Sequence, residues 1–332
     1  MRPRYSFVIP VYNEIETLPE LERRMSEYVA TLDAPSEIIL INDGCRDGSD
    51  DYMDALNGRN ELFKVIHLSR NFGHQIAISA GIDHAVGDCV IIMDADLQDP
   101  PEVVTLMIEK WQQGYEIVYG RRKSRKGESF FKLLTASLYY RTLRALTDVD
   151  IPADTGDFRL VDRKAVEAFK ILREKSRFVR GLFSWLGFRQ IGVEFERPER
   201  FAGETKYPIR KMLKLAFDGV ISFSNTPLRM VLRLGVWVSL LSFFGGFVAL
   251  YLKFSGAYTV RGWTSTVLVM SFLSGVQLIV LGIIGEYIGR IADEVRGRPL
   301  YYIREAKGFA RSIPVHGDWT VDPSVEEPRQ VG

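Results

Sequence analysis

The sequence predicts an α/β domain on a mainly parallel sheet, followed by a two-helix membrane hairpin. Three observations carry this expectation. Short apolar runs alternate with amphipathic segments through the first two hundred residues. Three of those runs end in polar clusters, and two charge-free stretches, Leu234–Leu252 and Thr264–Gly285, lie close together further on. Strand–helix alternation implies parallel pairing, with ligands at the carboxyl ends of the strands.

In chain order, Tyr5–Pro10, Glu37–Asn42, Lys64–Leu68, Cys89–Asp94 and Ile117–Gly120 read as buried strands, rich in Val and Ile. Between them, Glu16–Thr31, Gln75–Ala85 and Pro101–Gln113 read as helices, the last opened by a proline. "ADTGDFRLVDR" then places Asp154 and Asp157 in a polar turn before a helix over Arg163–Ile171. These elements make up an expected domain over residues 1–205.

Residues 206–230 form the next segment. In Tyr207–Phe223, Arg210, Lys211 and Lys214 mix with Ile209, Met212, Leu213, Leu215 and Phe217, a pattern for amphipathic helices at a membrane surface. Residues 231–290 follow, with the two apolar stretches each close to the ~20 residues that cross ~30 Å of hydrocarbon. The loop between them carries Lys253 and Arg261, whereas Arg229 and Arg233 precede the pair and Arg290, Arg296, Arg298 and Arg304 follow it. That bias puts both chain ends in the cytoplasm and makes this a multi-pass cell-membrane protein. Residues 291–332 are expected as a cytoplasmic tail, disordered from Ser312. The start, MRPRYSFVIP, is too short an apolar run for a signal peptide.

Composition excludes several classes. The net charge is +1, so no basic footprint for nucleic acid exists. Two cysteines, Cys45 and Cys89, form no CxxC or Cys/His cluster, which argues against a zinc site. A GxxxxGK[ST] loop is absent, as is a GxGxxG fingerprint after the first strand.

The chemistry concentrates at three strand ends: Pro10-Val11-Tyr12-Asn13-Glu14, then Asn42 to Ser49, then "IIMDADLQDPP", which closes an apolar run with Asp94, Asp96, Gln98 and Asp99. One such end is a turn; three in one sheet converge on a crevice. Asp94 and Asp96, two apart at a strand's end, can project to the same side. Hard carboxylate oxygens suit Mg²⁺ or Mn²⁺, which commonly bring phosphates with them.

The ordered string "VIPVYNE" (Val8–Glu14), "INDGCRDGS" (Ile41–Ser49), "LSRNFGH" (Leu68–His74), "MDADLQDPP" (Met93–Pro101), "GETKY" (Gly203–Tyr207), "NTPLR" (Asn225–Arg229) and "GIIGEYIGR" (Gly282–Arg290) resembles a known family. It is the polyisoprenyl-phosphate branch of the inverting, metal-dependent family-two glycosyltransferases of the A-type fold. The resemblance implies a Rossmann-like catalytic domain and Mg²⁺ or Mn²⁺ as cofactor. It assigns Pro10, Tyr12, Glu14 and Asp43 to the nucleoside pocket, Asp94 to the ribose and metal, and Asp96 and Gln98 to the metal. It also gives Arg200 and Lys206 to the donor diphosphate, Arg122 and Lys132 to the acceptor phosphate, and Asp157 to the catalytic position. Cys45 stands where Ser is usual, and Asp99 departs from a frequent His.

From the residues alone, Asp157 stays open between a base, an orienting carboxylate and a turn cap, since an ionised phosphate needs no strong base. Arg121, Lys123, Arg125 and Lys126 around Arg122 also fit a solvated charge run. The activity implied is transfer of a hexose, glucose from UDP-glucose on the bacterial pattern, to a polyisoprenyl phosphate such as undecaprenyl phosphate on the cytoplasmic leaflet. Implied partners are the nucleotide-sugar donor, the lipid and the membrane, and further a second copy of the chain and a flippase for the product. Two rivals are a processive polysaccharide synthase, whose QxxRW motif and additional spans are absent from this chain, and a non-catalytic membrane scaffold that binds nucleotide sugars.

Overall fold

The computed structural model describes residues 2–123, 155–196, 226–255 and 262–309. They fall into two compact units, an α/β unit and a unit of two long helices.

The α/β unit runs β1 (Tyr5–Val11), α1 (Leu18–Val29), β2 (Ser36–Asn42), α2 (Ser49–Arg59), β3 (Phe63–Leu68), α3 (His74–His84), β4 (Cys89–Ile92), α4 (Pro101–Gln112) and β5 (Ile117–Arg122). After the undescribed stretch come β6 (Thr155–Asp162), α5 (Arg163–Ile171), α6 (Val179–Trp185) and β7 (Gln190–Phe195). One eight-stranded sheet has the order β7-β5-β6-β4-β1-β2-β3-β8, where β8 is Ile303–Lys307. The pairs β1–β2, β1–β4, β2–β3 and β5–β7 are parallel; β4–β6, β5–β6 and β3–β8 are antiparallel. The sheet is mixed and mostly parallel, as expected.

β1 is buried along its whole length, and β2 over all but its first residue. A strand covered by helices on both faces must be apolar throughout, which is why these read as continuous runs. Helix α3 is buried from Ala77 to Asp83, and at Gly81 a Cβ would lie 2.3 Å from Val8 and 2.8 Å from Ile41. Glycine there lets the helix backbone press against β1 and β2.

The five expected strands and three expected helices are present within two residues at each end, and α5 has the predicted bounds. Two placements are corrected. Strand β4 stops at Ile92, because the backbone N–H of Asp94 turns to the Asp99 carboxylate at 3.1 Å and Leu97 takes a left-handed φ of 60°. Asp94 and Asp96 therefore sit in a turn rather than on the strand itself. Asp157 lies inside strand β6, not in a turn before α5. Gly156, Phe158 and Leu160 alternate with Asp157, Arg159 and Val161, and Phe158 and Leu160 join the core. Charged residues on the alternate face hid that period of two.

In the second unit, α7 spans Thr226–Phe254 and α8 spans Trp263–Val295, enclosing the two expected apolar stretches. Among the described residues one segment, Phe272–Val295, is long and apolar enough to cross a membrane; in α7 the apolar window is the shorter Val231–Gly245. Trp237, Leu241, Phe243, Phe244, Phe247, Leu278 and Ile279 are all exposed within this unit. So much uncovered apolar surface requires lipid or protein against it. The segments 206–225 and 310–332 lie outside the described residues.

Candidate active site

The carboxyl ends of β1, β2, β3 and β4 carry the site, and each loop there is shaped by side chains that bind backbone. Asn13, at φ 55°, accepts from the backbone N–H of Arg46 at 2.9 Å, and Asn42 accepts from that of Cys45 at 2.8 Å. The Cys45 thiol donates to the Val11 carbonyl at 3.4 Å, tying the β2 loop to the end of β1. Gly44, at φ +73°, lies so near the β3 loop that a Cβ would stand 2.6 Å from the Asn71 nitrogen. Only glycine fits both that conformation and that approach.

Asp43 is buried, and its two oxygens accept from the backbone N–H groups of Phe72, at 2.7 Å, and Gly73, at 3.0 Å. Burial pushes its carboxyl above the ordinary value in spite of those two bonds. Its hydrogen bonds build the loop that opens α3. The half-exposed Tyr12 lines a neighbouring cavity of about 370 Å³, together with Asn42, Gly44 and Asn71. Pro10 is buried within β1. Glu14 donates its backbone N–H to the Ser49 hydroxyl at 3.1 Å.

Two strands away, the Asp94 turn meets the start of α3. Asp94 Oδ1 is buried without a hydrogen-bond partner among the described residues, 3.5 Å from His74 Nε2. Burial raises the Asp94 carboxyl; the His74 and Arg180 charges oppose this, while the negative charges of Asp157 and Asp96 add to it. Asp96 accepts from the Gln98 backbone N–H at 3.1 Å, and the Gln98 side chain is buried beside it.

Asp157 sits at the centre of the densest polar network. It accepts from Arg180 Nε at 2.9 Å, Gln75 Nε2 at 3.0 Å and His74 Nε2 at 3.2 Å. Gln75 Oε1 in turn accepts from the Val179 backbone N–H at 2.9 Å, tying α3 to α6. Burial alone would raise the Asp157 carboxyl, but the Arg180 charge and the His74 hydrogen bond hold it well below the usual carboxylate range. Burial likewise opposes protonation of His74, yet its bond to Asp157 and the Asp94 charge push it up to about 9. The Asp157 carboxylate and the His74 imidazolium therefore form an ionised pair near neutrality.

Arg122 ends β5 next to this network. Its guanidinium occupies the space above Gly156, where a Cβ would be 3.0 Å from Nη2, and its Nε is buried without a hydrogen-bond partner among the described residues. Lys132, Arg200 and Lys206 lie outside the described residues.

Of the expected residues, the structure brings Asp94, Asp96, Gln98, Asp157 and Arg122 to one end of the sheet's middle. It gathers Pro10, Tyr12, Glu14 and Asp43 on its β1–β2 side. His74, Gln75 and Arg180 were not assigned roles from sequence. A buried aspartate demands a cation, and that demand was the available signal for Arg180.

Among the described residues no three His, Cys, Asp or Glu side chains converge as a ready-made metal cage. Mg²⁺ and Mn²⁺ need no such cage: one or two carboxylates, waters and a substrate's phosphates suffice. The orphaned, buried Asp94 oxygen beside Asp96 fits that type of donor set.

The profile described as Glycosyl transferase family 2 matches residues 6–169. A Bacillus subtilis (strain 168) protein named uncharacterized glycosyltransferase YkcC is 49% identical over 306 residues, covering 92% of this chain and 95% of that one. The chain belongs to glycosyl transferase family 2. A second family member, the SfII prophage-derived bactoprenol glucosyl transferase of Shigella flexneri, is 39% identical over 303 residues, 91% of this chain and 98% of that one. A solved glucosyl-3-phosphoglycerate synthase from Mycobacterium tuberculosis is 16% identical over 65% of this chain and 76% of that one, with a TM-score of 0.42. This family 2 glycosyltransferase carries its strand-end carboxylates inside the matched region, and Arg180 just beyond it.

Proposed function

We propose that the chain transfers glucose from UDP-glucose to the phosphate of a polyisoprenyl lipid, with inversion at the anomeric carbon. The observation that carries this is the juxtaposition at the sheet's end of a carboxylate side suited to a divalent cation and a side that bears the Arg122 guanidinium. Asp94 and Asp96 would meet the donor's diphosphate through the cation, and the Arg122 guanidinium, next to Gly156, would meet the acceptor beside Asp157. Relatives named bactoprenol glucosyl transferase, alike over nearly their whole length, support the sugar and the lipid.

Asp94, Asp96 and Gln98 would hold Mg²⁺ or Mn²⁺, which supplies charge neutralisation for the departing diphosphate. The chain's own residues do the rest. Tyr12 and the β2 loop seat the nucleoside. Arg122 docks the lipid phosphate, offering a planar fork to its oxygens. Lys132 joins it there, and Arg200 and Lys206 face the diphosphate, on the family's pattern. Asp157, ionised and held by three side chains, keeps Arg180, Gln75 and His74 in place around the acceptor. An acceptor oxygen already ionised attacks in line, opposite the diphosphate.

α7 and α8 form a two-span hairpin, with the catalytic domain and both chain ends in the cytoplasm. The exposed aromatic and aliphatic residues of α7 and α8 and the arginines flanking the apolar stretches support that arrangement. Anchoring at the bilayer raises the local concentration of a lipid acceptor.

The test is a panel of labelled nucleotide sugars incubated with the full-length protein, undecaprenyl phosphate and Mg²⁺ or Mn²⁺. Label from UDP-glucose should enter the organic phase, dependent on the lipid. Transfer to water alone, or no transfer from any donor, would overturn the proposal.

A further inference from the structure

The donor cavity has a wall that no strand-end motif supplies. It is lined on one side by Arg304, which lies in β8 beyond the long helix α8. Arg46 and Arg70 line it as well, and all three arginines are exposed. Arg46 and Arg304 form no ion pair among the described residues, whereas Arg70 stacks on Phe72, 4.0 Å from the ring centre. A cavity wall with unspent guanidinium donors is built to meet hydrogen-bond acceptors.

Position in the sheet says which part of a ligand arrives there. β4, β1, β2, β3 and β8 are consecutive neighbours, so β3 stands three strand spacings, roughly 14 Å, and β8 four, roughly 19 Å, from the strand that ends in the Asp94 turn. With the diphosphate at that turn, an extended nucleotide places its base, not its phosphates, against β3 and β8. Tyr12 offers a ring face on the way, and Asp50 adds one carboxylate to the same cavity.

β8 is held firmly enough to present a side chain. The Ser69 backbone N–H donates to the Tyr302 carbonyl at 2.9 Å, and Lys307 pairs with Asp54 at 2.7 Å. Asp54 is bound by His67 at 2.9 Å, and His67 by Asn42 of the cavity at 2.9 Å. Just upstream, the Tyr301 hydroxyl donates to the buried Asp83 at 2.7 Å. Arg304 therefore arrives on a strand fixed at both ends, which lowers the cost of using it in recognition.

We propose that Arg304 is a donor-specificity residue, reading the carbonyl edge of the nucleotide's base. A guanidinium only donates, so it favours the 4-carbonyl of uracil and rejects the 4-amino group of cytosine, itself a donor. This rests on the nucleotide-sugar donor proposed for the site and extends recognition to a residue outside the region of the family match.

The experiment measures binding of UDP and CDP, each with Mn²⁺, to the full-length protein in detergent by calorimetry. The wild type should prefer UDP by about tenfold or more, the scale of one charge-assisted hydrogen bond. Arg304→Ala should bring the two nucleotides within about threefold of each other, by weakening UDP. Arg304→Lys should recover affinity in part, since a point charge replaces the fork. Because Arg304 is exposed and β8 keeps its other anchors, an unchanged melting temperature is expected for both variants. A wild type that prefers UDP together with an Arg304→Ala that prefers it equally would overturn the inference and leave the function standing. Equal wild-type binding of UDP and CDP would do the same. A wild type that binds neither nucleotide would remove the proposed function itself.

Discussion

The two sides of the strand-end crevice hold their polar groups in opposite ways. On the β2–β3–β8 side, side chains spend their hydrogen bonds on backbone, and the charged groups that line the cavity stay exposed. On the β4–β6 side, side chain meets side chain: Asp157, Arg180, His74 and Gln75 are bound to one another and half or fully buried. The first arrangement shapes a rigid cavity with free donors at its rim. The second fixes a carboxylate in one ionisation state. A ligand can enter the first without breaking anything, whereas the second must remain intact for the site to exist.

The largest effect that comparison predicts is on stability. Asp157→Ala leaves Arg180 and His74 facing a void in a desolvated region, and breaking a buried pair from one side costs about 3–5 kcal/mol. Denaturant unfolding of the detergent-solubilised protein should show that loss, and Asp157→Ala with Arg180→Met should recover part of it. A single variant as stable as wild type would mean the network is not closed. Asp96→Ala should do the reverse, keeping the melting temperature while kcat falls by about 10²–10³, since transition-state charge loses its support. Full turnover of that variant would move the metal elsewhere.

Acid titration sharpens the contrast from beneath the site. Helix α3 brings His74 and Gln75 to the crevice at one end and Asp83 and His84 to Tyr301 at the other. Burial, reinforced by the Lys170 and Arg173 charges and only partly offset by Asp83, lowers His84 to about 4 from its ordinary 6.5. The folded state therefore refuses a proton that the unfolded chain accepts between those values. Its contribution to stability is complete above pH 6.5 and is lost as pH falls toward 4, with a ceiling of about 3 kcal/mol. His84→Gln should flatten that part of the stability–pH curve; an unchanged slope would assign the acid sensitivity to other groups.

How much of this was legible follows the same division. The buried parallel strands are near-continuous apolar runs, so β1 to β5 stood out, and "MDADLQDPP" marked the turn after β4. β6 did not, because "TGDFRLVD" alternates charge with core and its first residues look like a turn. β8, "IREAK", is five residues of mostly charged sequence and becomes a strand by pairing with β3. Asp43 was placed by resemblance in the nucleoside pocket, yet its oxygens are bound to loop amides, which sequence cannot show. Arg180, in "RFVRGLFSW", belongs to no periodic pattern that marks it as a partner of a residue 23 positions earlier.

A smaller effect separates donor from acceptor. Arg122→Ala should raise the apparent KM for the lipid phosphate by about tenfold while the donor KM stays within twofold, because only the acceptor's charge-assisted contact is lost. Steady-state titration of each substrate in turn reads the difference. If the donor KM alone rose, Arg122 would belong to the diphosphate side.

The chemistry itself is tested most directly by the stereochemistry of the product. The glycolipid made from UDP-α-glucose and undecaprenyl phosphate can be isolated and its anomeric proton coupling measured by NMR. A single in-line displacement by a phosphate oxygen, with Asp157 orienting and no carboxylate attacking the sugar, gives the β-linked glucosyl phosphate. An α-linked product would require a second displacement or a front-side path, and would contradict the single in-line displacement on which an orienting Asp157 rests.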